Sequence, residues 1–141
     1  MKRHALPFLA LLGLFLFSCD DDSNNGNKID QLVGTWESTY IEFANCTDPG
    51  DDGLIADGNC GAVPCLVLTI NANGTYAVVV NFEVPPENEV GTFTLDGSSI
   101  EICEDGGIDC QTFNFSVNST TLTFTGTDDD GCDNELVFTK Q

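Results

Sequence analysis

The sequence predicts an all-β fold: an eight-stranded antiparallel up-and-down barrel over residues 31–141, with a flattened β-sandwich as the fallback. Three observations lead there. Apolar residues recur at every second position in run after run, with Thr, Ser, Asn or Glu between them, the pattern of half-buried antiparallel strands. No helical period is visible beyond Asp30. Tight turns and longer connections alternate between the runs, and eight short strands that close on themselves leave no free sheet edge.

The first strand covers roughly Leu32 to Phe43. Leu66, Leu68 and Ile70 then alternate with Val67 and Thr69, and Tyr76, Val78, Val80 and Phe82 with Ala77, Val79 and Asn81. Phe93 and Leu95 follow between Thr92 and Thr94, and Ile100 and Ile102 between Ser99 and Glu101. Phe113, Phe115 and Val117 make the sixth run, Leu122 and Phe124 the seventh, Leu136 and Phe138 the last. Thr suits the wet face because its stiff χ1 fits a pleated surface. Asn71–Gly74, Asp96-Gly97 and Asn118-Ser119 are tight turns, since Asn, Asp and Gly tolerate positive φ. Residues 44–64, 84–88, 104–109 and 126–133 are the longer connections. In an up-and-down barrel alternate connections lie at opposite ends, so the tight turns share one end with the start of the first strand and the long loops share the other.

The amino terminus reads as an export segment. Met1-Lys2-Arg3-His4 is basic, and Ala5–Phe17 is apolar but too short to span a bilayer. The run ends Leu16-Phe17-Ser18-Cys19, which resembles the lipobox of bacterial lipoproteins. That resemblance implies that residues 1–18 are a signal peptide and that Cys19 is acylated, each buried CH₂ of the acyl chains adding about 0.8 kcal/mol of membrane attachment. Residues 19–30, opening Cys19-Asp20-Asp21-Asp22, carry little to bury and read as a flexible acidic tether. The acidic run after the cysteine is similar to the surface-export signal of Bacteroidota lipoproteins, and implies an outer-membrane, cell-surface location.

Composition excludes several functions. The net charge is −19, and it falls to −21 once residues 1–18 are removed, when two Lys face 23 acids. A phosphate-backbone binder needs a basic face, so no nucleic-acid partner is expected. The remaining chain has no His, which excludes a His-based triad or a His-ligated zinc. A carboxylate pair could serve glycoside hydrolysis, but nothing sets two acids apart from the rest, so no enzyme is expected.

Leu32-Val33-Gly34-Thr35-Trp36 resembles the Gly-x-Trp signature of the first lipocalin strand. Leu68–Tyr76 and Gly91-Thr92-Phe93 before Asp96-Gly97 fit the same pattern, closest to the lipocalin-like lipoproteins of Bacteroidota. The resemblance covers roughly residues 30–141. It implies an eight-stranded barrel, Trp36 packed near the closed end, and a small apolar ligand at the open end. The chain is shorter than true lipocalins and lacks their helix after the barrel and their later Arg signature.

Six cysteines besides Cys19, in an exported chain, read as a disulfide framework, for which six allow 15 pairings. Cys103 and Cys110 bracket one hairpin loop. Cys46 ends the first strand and Cys132 precedes the last, and these strands are neighbours in a closed barrel. Cys60 and Cys65 remain. Two acidic stretches offer oxygens for calcium: Asp48, Asp51, Asp52 and Asp57, and Asp128, Asp129, Asp130, Asp133 and Glu135. Neither matches an EF-hand, so they are expected to be solvated loops and no cofactor is expected. The three Asn-x-Ser/Thr sequons at Asn45, Asn73 and Asn118 read as turns. The function expected is a monomeric, non-enzymatic binding module for a small apolar ligand, with membrane attachment through Cys19. The alternative is a surface lipoprotein whose acidic, calcium-associated loops engage a cationic partner. An empty apolar cavity would favour the first, and a Phe-filled interior the second.

Overall fold

Alternation of large apolar and small polar residues produces the strands, and their order closes them. A computed structural model describes residues 22–82, 84–105, 107, 109–128 and 131–141. Its elements are α1 (Asp22–Leu32), β1 (Gly34–Ala44), β2 (Gly53–Ile55), β3 (Asn59–Cys60), β4 (Val63–Pro64), β5 (Leu66–Ile70), β6 (Thr75–Val80), β7 (Glu87–Asp96), β8 (Ser99–Glu104), β9 (Cys110–Val117), β10 (Thr121–Thr127) and β11 (Asp133–Lys140). From β5 to β11 each strand pairs antiparallel with the next, and β1 closes the ring between β11 and β5. That is the barrel expected from the sequence, and the flattened sandwich is not what forms.

Four features differ from the expectation. The segment read as a flexible tether is helical from Asp22, and Leu32, taken as strand, ends the helix. Helix propensity is poor over Ser23–Asn27, but the last turn docks Leu32 into the barrel floor at 0 % exposure, and docking outweighs propensity. The long loop 44–64 contains β2, which pairs with the upper half of β1 through Ile41↔Ile55 and Phe43↔Gly53. It also holds the β3–β4 ladder. Strand β7 starts at Glu87, five residues before Thr92, because its inward positions there are acidic and break the apolar alternation. Finally, β6 stops at Val80, which leaves Phe82 in a turn and 41 % exposed.

Strand β1 slips register between Ser38 and Tyr40. Trp36 and Ser38 are buried below the slip and Ile41 above it, because an extra residue in the strand inverts which parity faces the core. Ser38 is 3 % exposed and fully used: its hydroxyl donates to Gly58 O at 2.7 Å and accepts from Leu66 N at 3.0 Å. Gly58 sits so close that a Cβ would lie 2.5 Å from the Ser38 backbone. These contacts hold the loop against the wall where β1 exchanges β5 for β2.

The closed end carries the tight turns, the start of β1 and α1. Asn118 Oδ1 accepts from the amides of Thr120 and Thr121, and Asn73 Oδ1 from that of Thr75, so two of the three sequon asparagines cap turns. Trp36 is fully buried, and its indole N–H donates to Leu32 O at 2.7 Å. Lys28 donates to Gly97 O and lies 5.4 Å from the Phe115 ring centroid. Lys140 donates to Gln31 O at 3.1 Å and lies 5.0 Å from the Trp36 ring. Gly34 has φ +142°, and a Cβ there would come 2.8 Å from Lys140 Cε. Glycine is favoured at that position by its backbone angle, whereas the end of the lysine side chain could move aside.

Candidate functional site

The inward faces change character along the barrel. Toward the closed end, Trp36, Ile70, Phe93, Ile100, Phe115 and Leu122 fill the interior. Above them the filling stops. A cavity of about 380 Å³ lies between Leu66, Leu68, Val78, Val80, Ile102, Phe113, Phe124, Leu136 and Phe138, with Tyr76, Glu89, Glu104, Asp109 and Gln111 completing its wall. Its aromatic side is ordered: Phe124 meets Phe113 at 6.1 Å between centroids and Phe138 edge-on at 5.9 Å. Gly126 makes room for this cluster, since a Cβ there would lie 2.9 Å from the Phe113 ring.

Strand β7 supplies the polar side. Register pairs Val80 with Glu87, Val78 with Glu89 and Tyr76 with Gly91, so the face of β7 shared with the lining residues Tyr76 and Val78 runs Glu87, Glu89, Gly91, Phe93 from mouth to floor. Gly91 pairs in turn with Glu104 of β8. The Tyr76 ring lies across Gly91, where a Cβ would meet its Cε1 at 2.8 Å. Tyr76 is 7 % exposed, and its hydroxyl makes no hydrogen bond among the described residues. Partial burial, then the charges of Glu89 and Glu104, raise the Tyr76 phenol above its ordinary pKa. Partial burial also raises the Glu89 carboxyl, with Glu104 and Glu87 adding to it. The sequence reading did not single out Tyr76, Glu89, Glu104 or Gln111. The available signal was Glu87-x-Glu89-x-Gly91-x-Phe93, one strand face that turns from acidic to apolar.

The cysteines surround the mouth. Cys46 is bonded to Cys132, Cys60 to Cys65 and Cys103 to Cys110. The first joins β1 to the loop before β11, and the last ties the β8–β9 loop beside the cavity wall, which Cys110 lines. Two of the calcium candidates serve these bridges. Asp52 Oδ1 accepts from Cys46 N at 2.9 Å, and Asp128 Oδ1 accepts from Cys132 N at 2.9 Å, one carboxylate on each side of the same disulfide. Asp128 Oδ2 accepts from Asn134 Nδ2, and Asp48 Oδ1 caps Gly50 N. No group of three or more His, Cys, Asp or Glu side chains among the described residues is placed to hold a metal ion. Cys19, the signal segment, Asp129 and Asp130 lie outside the described residues.

Solved structures resemble this fold. A lipocalin-like protein from Bacteroides uniformis matches at a TM-score of 0.54 with 15 % identity, over 79 % of this chain and 99 % of its own. An uncharacterised protein from Bacteroides eggerthii matches at 0.52 with 12 % identity, over 78 % and 99 %. No family model matches the chain, and no curated protein matches it. What the likeness establishes is the fold, a lipocalin-like closed barrel with one added strand.

Proposed function

We propose that the chain is a non-enzymatic binding module whose barrel receives a small apolar ligand through the long-loop end, and that acyl chains on Cys19 anchor it at the outer membrane with that end directed away from the bilayer. The observation that carries the reading is the cavity. The interior could have been closed by its own side chains, as small eight-stranded barrels often are. Instead it stays empty over a volume in the range of small-ligand sites, with apolar walls and a few polar groups at one side. The anchor rests on the lipobox-like Leu16-Phe17-Ser18-Cys19 alone. The orientation rests on α1 and the start of β1, which lie at the closed end.

Uptake of a neutral apolar fluorophore such as N-phenylnaphthylamine tests the binding reading. The folded chain is expected to take it up stoichiometrically, and Leu136→Trp, which fills the cavity, to abolish uptake. A folded chain that takes up no probe overturns it. The anchor has its own test: Cys19→Ala leaves the protein soluble or unprocessed, and a variant still membrane-bound after its signal is cut would refute lipidation.

The reading as a surface-interaction lipoprotein is favoured by a different observation. Among the described residues, the exposed large apolar side chains Leu54, Val63, Phe82, Val84 and Val90 all belong to the long-loop half of the strands and connections.

A further inference from the structure

Resting on the binding reading above, we infer that the ligand is a cationic amphiphile, an organic amine or ammonium compound whose apolar body occupies the barrel cavity and whose charged head lies among Glu89, Glu104 and the Tyr76 hydroxyl. The cavity is a hydrocarbon-lined chamber whose ionisable wall groups, besides the Tyr76 phenol, are all carboxylic: Glu89, Glu104 and Asp109. Among the described residues the only basic side chains are Lys28 and Lys140, and both are engaged at the closed end with Gly97 O, Gln31 O and the rings of Phe115 and Trp36. An anionic head would therefore meet three carboxylates and no cation on leaving water, which is costly. An ammonium meets the opposite situation. It is drawn by the field of a chain of net charge −19, focused by a low-dielectric pocket. It also offsets the charges of Glu104 and Glu87, which add to the rise that burial gives Glu89.

Tyr76 adds a second kind of polar group to the cavity wall. The residue is 7 % exposed and lines the cavity, and its hydroxyl, which keeps surface open to that space, makes no hydrogen bond to another described residue. That oxygen is thus left available to a group that enters the cavity. The Tyr76 oxygen can accept from an ammonium N–H, and its ring and that of Phe113 offer π faces to a cation within the same chamber. A bare metal ion suits the chamber poorly, since its wall is mostly hydrocarbon and a hard cation needs six or more oxygens.

Three ten-carbon probes that differ only in the head decide this: decylamine, decanol and decanoate, each below its micellar concentration. They are titrated calorimetrically at neutral pH into the full chain carrying Cys19→Ala, so that no acyl chains compete. Decylamine is expected to bind about tenfold tighter than decanol, and decanoate about tenfold weaker, each step matching one modest charge contact. The pair Glu89→Gln and Glu104→Gln should cut the amine's advantage to about threefold or less and leave decanol within about twofold, since amides keep the shape and remove the charge. Decanol and decylamine of equal affinity, or decanoate tightest of the three, overturns the inference while leaving the binding reading intact. An amine advantage that survives the double Gln variant overturns the head-group placement. If none of the three binds to a chain shown folded by circular dichroism, the binding reading itself fails.

Discussion

The two ends of this barrel are held by different forces. At the closed end, Trp36, Leu32 and Leu122 are fully buried, the turns are short, and Lys28 and Lys140 lie over aromatic rings. Packing holds that end. At the open end Glu89 and Glu104 line the wall, the connections are long, and a cavity takes the place of a core. All three disulfides are there. A rim crowded with carboxylates cannot bury itself, so its order comes from covalent closure and from carboxylates that cap the cysteine amides. A chamber with an acidic mouth can stand open on a stable floor because the two tasks fall to different ends.

The sharpest way to break this contrast is to cut the covalent rim. The Cys46–Cys132 bridge spans 86 residues, whereas Cys60–Cys65 spans 5 and Cys103–Cys110 spans 7. Loop-closure entropy then gives about 4.5 kcal/mol for the long bridge and about 2 kcal/mol for each short one. Replacing Cys46 and Cys132 together by Ala should cost most of that in urea denaturation. The loss of Cys60 and Cys65 should cost about half as much. Equal losses from the two pairs would show that local strain or packing, not chain closure, sets their worth.

Matched truncations sharpen the same contrast. Leu122 is fully buried in the packed half, and Leu136 lines the cavity. Leu122→Ala opens a new void and should cost about 3–4 kcal/mol. Leu136→Ala enlarges a space already present and should cost nearer 2 kcal/mol. Thermal or chemical unfolding of both variants checks this. A Leu136 cost equal to that of Leu122 would mean that the cavity is closed in solution.

How much of this was legible in the sequence follows the same division. The strands with apolar inward faces, β5, β6, β8, β9, β10 and β11, are visible as period-2 runs, and barrel order brings Cys46 near Cys132 before any coordinates do. Helix α1 was not legible, because its capping role comes from Leu32 and Lys28 docking on a floor that does not exist until the barrel closes. The first half of β7 was hidden for the opposite reason: its inward residues are Glu87 and Glu89, so alternation points the wrong way there. The site was illegible for the same cause. A cavity is a place where side chains are missing, and Tyr76 reads as one more core aromatic until Gly91 is seen beneath its ring.

Screening of the rim should produce a smaller effect. Asp52 and Asp128 already accept hydrogen bonds from the amides beside the long disulfide. Millimolar calcium should raise the thermal midpoint by a few degrees, and sodium chloride of equal ionic strength should raise it less, as expected of diffuse charge at a Debye length of about 8 Å. A calcium response that saturates at micromolar concentration and disappears in Asp130→Ala or Asp52→Ala would mark a dedicated site instead.

The smallest effect belongs to one carboxyl. Partial burial, Glu104 and Glu87 lift Glu89 above the ordinary carboxylate range, so the folded chain holds its proton more tightly than the unfolded chain does. A raised folded pKa means that protonation favours folding. Glu89 therefore adds stability that is complete below its unfolded value, near 4.3, and is lost as pH rises through its folded value. As pH falls from 7 toward the unfolded value the midpoint should gain a small contribution that Glu89→Gln removes, and the variant should unfold at a slightly higher temperature than the parent at pH 7. An unchanged slope in the variant would mean that the acid dependence comes from the rim as a whole. An ammonium beside Glu89 should reverse the balance by favouring its ionised form. Saturating decylamine should then flatten the same climb in the parent chain and leave the Gln variant as it was, so a single titration of midpoint against pH tests both the strain at the mouth and what relieves it.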